Sequence, residues 1–149
     1  MRLAALADSP ASFGSTYDRE FDYSDEEWTE RAVRGSTGFD RATFFAVTED
    51  EEVVGLVGGF RGELGSLTVD LVSMWIAPQV RRGGIGQMLV QAVIDWARSI
   101  GATDVQLWVT RGNTPAENLY HKIGFLDTGD HQPLPSDPRK DEIRMTAAL

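Results

Sequence analysis

The stretch MWIAPQVRRGGIGQMLVQAVIDWARSIGA, residues 74–102, has three glycines at the start of a strongly amphipathic helical pattern. The apolar residues of this pattern recur at the spacing of one helix face and are Ile85, Met88, Leu89, Ala92, Val93 and Trp96. Glycine weakens a helix because it loses more backbone freedom on folding than any other residue. Three glycines at one helix start therefore indicate a requirement other than helix stability.

The chain before these glycines reads as a strand that ends at Pro78, so a strand leads through a glycine-rich turn into a helix. The first N–H groups of a helix have no partner within it and carry the positive end of its dipole. Such a turn suits a phosphate or pyrophosphate, which can approach glycine backbone closely. One glycine would suffice for a tight connection, so three glycines behind Arg81 and Arg82 favour an anion site.

Two common nucleotide-binding motifs do not fit this turn. It lacks the Gly-Lys-Ser/Thr ending of a loop that binds nucleoside triphosphates. It is not Gly-x-Gly-x-x-Gly either, and the next strand ends at Val109-Thr110 without the acidic residue of a dinucleotide site. A protein that binds ATP or NAD through this turn is therefore disfavoured.

The rest of the chain predicts a mixed α/β fold in a single domain, residues 1–149, which is long enough for a full core. Ser24 and Glu27 form a predicted capping box, while Thr114 is the predicted cap of a later helix that ends at Gly124. The predicted elements, in order, are a helix at 2–7, a helix from 24 to about 34, strands within 42–50, 52–62 and 66–77, a helix at 85–100, a strand at 104–110, a helix at 114–123, a strand from 125, a proline-rich loop at 129–141 and a strand at 142–147.

The composition excludes several kinds of chemistry. The sequence has no cysteine, which excludes disulfides and a cysteine nucleophile, and only two histidines, His121 and His131, so no metal site is expected. The formal net charge of −9 argues against nucleic acid as a partner. No apolar run is long enough to span a membrane, and the N-terminus is a poor signal peptide. We therefore expect a cytoplasmic protein with no membrane partner.

The spacing of Arg81, Gly84 and Gly86 is Arg-x-x-Gly-x-Gly, and MWIAP precedes it. A second motif, NTPAENLYHKIGF, follows at 113–125. At these two motifs the chain resembles the GCN5-related N-acetyltransferase (GNAT) family, and the resemblance is specific over about residues 67–126. The second motif carries it through Asn113, Ala116, Leu119, Tyr120, Gly124 and Phe125.

This resemblance implies a GNAT-like acyl-CoA N-acyltransferase fold, in which helices flank a central mixed sheet. The fourth and fifth strands of that sheet splay apart, and here they are expected at 67–76 and 104–110. Members of the family usually begin with a strand before the first helix, whereas this sequence starts within the predicted helix. Either the chain begins late or the strand is supplied otherwise.

The resemblance also implies acetyl-CoA as co-substrate. Backbone groups of Met74 and Ile76 are expected to pair with the pantetheine arm, and residues 82–87 to surround the pyrophosphate. The side chains of Arg81 and Arg82 are expected to add charge near the phosphates. The complete set of expected acetyl-CoA-binding residues is Met74, Trp75, Ile76, Arg81, Arg82, Gly83, Gly84, Ile85, Gly86, Gln87 and Asn113.

Tyr120 matches the family tyrosine that lies near the sulfur and acts as general acid. The resemblance does not identify the general base. Some relatives carry a glutamate on the fifth strand, and that position is Trp108 here, which leaves Asp70, Glu63, His121 or a chain of waters as alternatives. Asp70 lies in an otherwise apolar strand, where an acid costs free energy unless it is paired, so a structural role is equally open.

The function implied is transfer of an acetyl group from acetyl-CoA directly to a primary amine of a small molecule or peptide. The alternative is a module that binds acetyl-CoA or CoA without catalysis, as a sensor or interaction domain. The acceptor site is expected to be formed by the first two helices and a loop at 127–140. A homodimer is also expected, because symmetric pairs are common and a missing first strand leaves an unpaired sheet edge.

Overall fold

A computed structural model describes residues 1–36, 38–63 and 65–149. The helices are α1 (Arg2–Asp8), α2 (Tyr17–Phe21), α3 (Asp25–Ser36), α4 (Ile85–Ser99) and α5 (Thr114–Ile123), with short 3-10 helices at Pro10–Ser12 and Pro78–Val80. The strands are β1 (Arg41–Val47), β2 (Val53–Phe60), β3 (Thr68–Ile76), β4 (Asp104–Thr110), β5 (Leu126–Leu134) and β6 (Asp137–Ala148).

The six strands form one mixed sheet in the order β1-β2-β3-β4-β6-β5. Only β3 and β4 are parallel, as expected for two strands joined through the crossover helix α4. Their ladder is short and pairs Thr68–Leu71 with Asp104–Leu107. The described residues beyond it form no further β3–β4 pairs, so the predicted α/β class and the separation of these two strands are confirmed.

The main core lies between the sheet and α4, whose amphipathic pattern was evident in the sequence. Alternation along β4 sends Val105, Leu107 and Val109 into this core and leaves the even-numbered residues on the opposite side of the sheet. Other buried members of the core are Val57, Val69, Leu71, Leu89, Val90, Val93, Ile94, Phe125 and Met145. The side of the sheet that carries Gln106, Trp108 and Thr110 is called the cleft face below.

A second core cluster fixes α1 against β2 and β3. Its buried members are Ala5, Leu6, Phe13, Val54, Leu56, Trp75 and Ala77. The helices behind it are joined through the buried carboxylate of Glu20 on α2. Arg2 donates two hydrogen bonds to this carboxylate, at 2.9 and 2.8 Å, and Arg31 of α3 lies 3.5 Å from it. One acid therefore links all three N-terminal helices.

Two predicted helix starts have different outcomes. The capping box is confirmed, because Ser24 Oγ accepts a hydrogen bond from the Glu27 N–H at 3.3 Å and Glu27 Oε2 accepts one from the Ser24 N–H at 2.7 Å. The predicted cap Thr114 is wrong by one residue, since α5 begins at Thr114 and Asn113 holds the N-cap position. Gly124 ends α5 in the left-handed region, as expected.

The proline-rich loop predicted at 129–141 is also wrong, because this segment forms most of the β5–β6 hairpin. Proline lacks a backbone donor and is tolerated on edge strands. β5 is the edge strand of the sheet, and Pro133 pairs there with Asp141. Pro133 therefore lies where a missing N–H disturbs the ladder least.

Among the described residues no strand precedes β1, which forms the other edge of the sheet. The usual first strand of the resembled fold is therefore not seen in the described part of the chain. Residues 1–36 instead supply the helices that cover part of the cleft face.

Candidate active site

The gap between β3 and β4 begins at a bulge in β3. Gly58 and Leu56 of β2 pair with Val72 and Trp75 of β3, so two steps along β2 match three along β3. Ser73 is the first of the two residues within this longer step, and its φ of 59° places it in the left-handed region. A bulge bends a strand and increases its twist. The bulge therefore lies where β3 leaves β4.

The glycine-rich turn follows β3 and leads into α4. Arg82 and Gly84 have φ angles of 68° and 83°, and Gly84 occupies the N-cap position with no side-chain cap. A Cβ placed on Gly84 would meet nothing within 4 Å, so the space above the helix start is open. Exposed N–H groups at the positive end of a 15-residue helix are suited to an anion.

Gly86 is a glycine for a different reason. A Cβ at this position would lie 2.9 Å from Leu119 Cδ2 of α5 and 3.0 Å from Ile76 Cδ1 of β3. The missing side chain thus lets α4 pack closely against both elements. Two glycines of the turn therefore serve different needs, open space above the helix start at Gly84 and close helix packing at Gly86.

The guanidinium of Arg81 is engaged with the protein. Its Nε donates to the carbonyl oxygen of Ile76 at 2.9 Å and its Nη2 to Asp8 Oδ2 at 2.5 Å. Trp75 Nε1 donates to the same oxygen at 3.0 Å. Hydrogen bonds from Ser9, Trp75 and Arg81 outweigh desolvation and hold the pKa of Asp8 below its usual range. This cluster ties the end of α1 to the turn, while Arg82 is exposed.

A cleft of about 320 Å³ occupies the gap between the two strands. It is lined by residues 70–74 of β3, residues 107–110 of β4, Asn113, Ala116 and Tyr120 of the α5 region, residues 11–14, and Gln132, Leu134, Pro135 and Glu142 of the hairpin. The cleft therefore runs from the strand gap to a wall made by the N-terminal segment and the β5–β6 hairpin.

Tyr120 lines the cleft from α5 and is only 4% exposed. Its ring contacts that of Phe125 edge to face, with centroids 5.7 Å apart. Burial raises the pKa of Tyr120 well above the usual value of a phenol, because the phenolate is poorly solvated there. The hydroxyl is therefore protonated at neutral pH and able to donate.

Asn113 and Met74 also line the cleft, from its two sides. At the N-cap of α5 the Asn113 side chain forms no cap hydrogen bond, so the helix does not use its amide group. Trp75 is buried in the second core cluster, and Ile76 packs on the main core. The expected acetyl-CoA-binding residues thus divide between the cleft, the turn and the packing behind them.

Of the three side chains considered as general base, only Asp70 lines the cleft. Burial raises the pKa of Asp70, although a 2.8 Å hydrogen bond from Gln106 Nε2 and the charge of Arg144 oppose this. Glu63 and His121 are not among the described residues of the cleft lining, and His121 Nδ1 lies 3.2 Å from the carbonyl oxygen of Phe125. A carboxylate with a raised pKa is a stronger base than an exposed one.

Two residues of the cleft lining, Glu142 and its hydrogen-bond partner Gln132, were not predicted from the sequence. Glu142 is 7% exposed, and its Oε1 accepts a hydrogen bond from Gln132 Nε2 at 2.6 Å. Gln132 fell within the predicted loop, so its position opposite Glu142 was not visible. The available signal was the alternation of residues 142–147, which places Glu142 on one face of the last strand.

The wall of the cleft is held by two hydrogen bonds to the backbone of the N-terminal segment. Thr110 Oγ1 donates to the carbonyl oxygen of Ala11 at 2.6 Å, and Ser136 Oγ donates to that of Phe13 at 2.7 Å. The structure thus brings residues 11–14 and 132–135 to one side of the cleft. Residues 11–14 follow the first predicted helix, and residues 132–135 lie within the segment 127–140 that was expected to contribute to the acceptor site.

Among the described residues, no three His, Asp or Glu side chains cluster in a way that could hold a metal ion. No helix in the described ranges combines the length and apolar character needed to cross a membrane.

The sequence profile of the Acetyltransferase (GNAT) family matches residues 5–125. An N-alpha-acetyltransferase of Sulfurisphaera tokodaii is 38% identical over 96 residues, 58% of this chain and 58% of that protein. A streptothricin acetyltransferase of Streptomyces lavendulae is 34% identical over 91 residues, 60% of this chain and 47% of that protein. The chain thus spans about half the length of these curated relatives.

A spermidine N-acetyltransferase from Vibrio cholerae, solved in complex with CoA and spermine, has a TM-score of 0.76 to this structure. The match covers 98% of this chain and 85% of that one at 18% identity, so it establishes the likeness of fold.

Proposed function

Because the chain belongs to the GNAT acetyltransferase family, we propose that it transfers the acetyl group of acetyl-CoA to a primary amine of a small molecule or peptide. The observation that carries this proposal is the gap that opens between β3 and β4 after Leu71 and Leu107. At one end of the gap lies the glycine-rich turn, whose N–H groups are suited to an anion. Tyr120 and Asp70 line the cleft that the gap forms.

Acetyl-CoA fits these features as a linear substrate with an anionic end. The pyrophosphate is proposed to bind the N–H groups of residues 82–87, above the open space at Gly84. The pantetheine arm is proposed to lie along Met74 and Ile76, whose β4-facing edge has no strand partner among the described residues. Asn113 is positioned to reach the arm from the opposite side of the cleft.

The transfer forms a bond between the acceptor nitrogen and the acetyl carbon and breaks the bond between that carbon and sulfur. Asp70 is proposed to remove a proton from the acceptor amine, because it lines the cleft and burial raises its pKa. Tyr120 is proposed to give its proton to the departing sulfur and to recover one from solvent. Because burial keeps the Tyr120 hydroxyl protonated, it can act as the acid at neutral pH.

The class of acceptor is proposed to depend on the cleft and not on the glycine-rich turn. The sequence relatives are named as a streptothricin acetyltransferase and an N-alpha-acetyltransferase. The second name states transfer to nitrogen, so a primary amine is proposed as the acceptor here as well.

The direct test measures release of free CoA from acetyl-CoA in the presence of a broad panel of amines, with product masses determined for each. The proposal predicts CoA release together with a mass increase of one acetyl group on at least one amine. Tight acetyl-CoA binding by calorimetry without transfer to any amine would instead support a non-catalytic CoA-binding module.

We further propose that the protein is a cytoplasmic homodimer. The outer edge of β1 has no partner strand among the described residues, and Phe45 and Val47 on this strand are 50% and 55% exposed. An open edge with apolar side chains favours association with a second strand. Light scattering at micromolar concentration tests this proposal, and a monomeric mass contradicts it.

A further inference from the structure

We propose that Glu142 binds a second cationic group of the acceptor, so that the cleft selects amines with at least two positive charges. This inference rests on the proposed acetyl transfer and assigns a specificity to the same site. It identifies a residue on β6, outside both of the motifs that carry the family resemblance.

Glu142 faces the same cleft as Asp70. It lies directly opposite Thr110 in the antiparallel pair of β4 and β6, so their side chains share the cleft face. Its carboxylate is almost fully buried, and Gln132 Nε2 contacts only Oε1. Among the described residues no hydrogen bond reaches Oε2. Because Glu142 lines the cleft, its Oε2 is available to a cationic group that enters it.

The charges that line the cleft have one sign. Asp70 and Glu142 are acids, and no lysine or arginine occurs among the described residues of the lining. Arg144 is the nearby cation, and its charge partly opposes the rise that burial causes in the pKa of Asp70. The Arg144 guanidinium forms an ion pair with Asp130 and lies 5.8 Å from the ring centre of Trp108. Arg144 is not among the described residues that line the cleft. A bound cation would therefore balance the negative charge of the cleft, whereas a carboxylate on the acceptor would be repelled by it.

The two acids are far enough apart to bind separate groups. Asp70 lies beside Gln106 on β4, and Glu142 lies beside Thr110, four residues further along the same strand. This corresponds to about 13 Å along the strand and about 10 Å across two strand spacings. Both side chains then extend toward one cleft. One amine at Asp70 and a second charge at Glu142 are thus the arrangement that the register favours.

The test compares α,ω-diamines of four to eight carbons with monoamines of equal length. For wild type we expect kcat/KM to be at least tenfold higher for the best diamine than for its matched monoamine. Glu142→Gln keeps the shape and removes the charge, and we expect it to reduce this preference by about 10- to 100-fold. The matched control is Glu49→Gln, which removes one exposed charge in the β1–β2 turn. It should retain the preference.

Calorimetry with the best diamine and the CoA-bound protein separates the two proposals. If no amine is acetylated but the diamine binds wild type and not Glu142→Gln, the specificity assignment stands and the proposed catalysis fails. If amines are acetylated with no preference for diamines, or if Glu142→Gln keeps that preference, the assignment to Glu142 is overturned. Absence of both acetylation and diamine binding overturns both.

Discussion

Leu71 on β3 and Leu107 on β4 form the last pair of the only parallel ladder in the described sheet. Both side chains are buried in the main core, so the ladder is firmly packed up to this pair. Both residues also line the cleft, together with their neighbours Val72 and Trp108. The last pair of the ladder therefore belongs both to the core and to the floor of the cleft.

The bulge that starts this separation stores backbone strain at Ser73. Glycine adopts a positive φ without penalty, so Ser73→Gly should raise the free energy of unfolding by about 1 kcal/mol. Ser73→Ala loses the hydroxyl but keeps the strain, and it should show no such gain. Urea unfolding of the two variants measures the difference. A Ser73→Gly variant less stable than Ser73→Ala would contradict the strained conformation.

The anion site can be tested at Gly83, which lies outside the left-handed region and has its nearest Cβ contact at 3.4 Å. Gly83→Glu should weaken acetyl-CoA binding by at least about tenfold, because it puts a negative charge beside the proposed pyrophosphate site. Gly83→Gln has the same shape without the charge and should bind much more tightly than Gly83→Glu. Calorimetry on both variants gives the ratio, and equal affinities would rule out an anion at this turn. Gly86 is unsuitable because a side chain there disturbs packing.

Tyr120→Phe keeps the ring that packs on Phe125 and removes the hydroxyl. If Tyr120 is the acid, kcat should fall by about 10²- to 10⁴-fold while acetyl-CoA affinity changes little. The raised pKa means that the wild-type phenol stays protonated through pH 10, so Tyr120 should cause no alkaline loss of rate below that pH. Steady-state rates and calorimetry on one preparation decide the matter. A kcat close to that of wild type would leave Tyr120 as a packing residue only.

Asp70→Asn should remove the base and also change how stability depends on pH. The pKa of Asp70 is raised in the folded state, so its contribution to stability is fully present below the unfolded value of about 3.8 and declines as pH rises through the folded value. As pH rises through the folded-state pKa of Asp70, the free energy of unfolding of Asp70→Asn should therefore increase relative to that of wild type. Denaturation at several pH values measures it.

Asp70→Asn should also have a lower kcat/KM at neutral pH. Its pH–rate profile should lack the fall in rate at acidic pH that protonation of Asp70 causes in wild type. Gln106→Glu offers a second readout, because a like charge beside Asp70 should move this fall in rate to higher pH. An unchanged pH–rate profile in Asp70→Asn would exclude Asp70 as the base.

Glu20 provides the opposite pH dependence. Burial tends to raise its pKa, but the hydrogen bonds and charge of Arg2, with the charge of Arg31, outweigh burial and lower it. Its stabilisation is therefore present above the unfolded pKa of about 4.5 and lost as pH falls through the folded value. Glu20→Gln should cost about 3 kcal/mol at pH 7 and progressively less in acid. A constant cost at all pH values would show that the charge of Glu20 is not responsible.

The periodicity of the sequence was sufficient for the parts of the fold that local rules determine. The spacing of apolar residues predicted α4, and the pairing of Ser24 with Glu27 predicted the start of α3. The β5–β6 hairpin was not predicted because Pro133 and Pro138 normally argue against a strand. Pro133 is acceptable because β5 is the edge strand, and Pro138 precedes Glu142, the first residue of β6 that pairs with β4.

The candidate site was predictable in proportion to how local its parts are. The turn at Gly84 and the helix that carries Tyr120 are each formed by a continuous segment, so their motifs could be recognised in the sequence. The bulge at Ser73 depends on register with β2, and the approach of Glu142 to the cleft depends on β6 lying beside β4. Neither relationship exists until strands distant in sequence have paired.

The position of β6 gives the molecule a definite order of assembly. This strand follows every other described element in the chain, yet it lies between β4 and β5 in the sheet. During synthesis β4 must wait for its antiparallel neighbour, and β5 has nothing to pair with, until residues 137–148 have left the ribosome. A nascent chain arrested before this point holds the whole glycine turn and Tyr120 but lacks Glu142 and its strand. The proposed selectivity for the acceptor thus forms only after the proposed acetyl-CoA site has been synthesised.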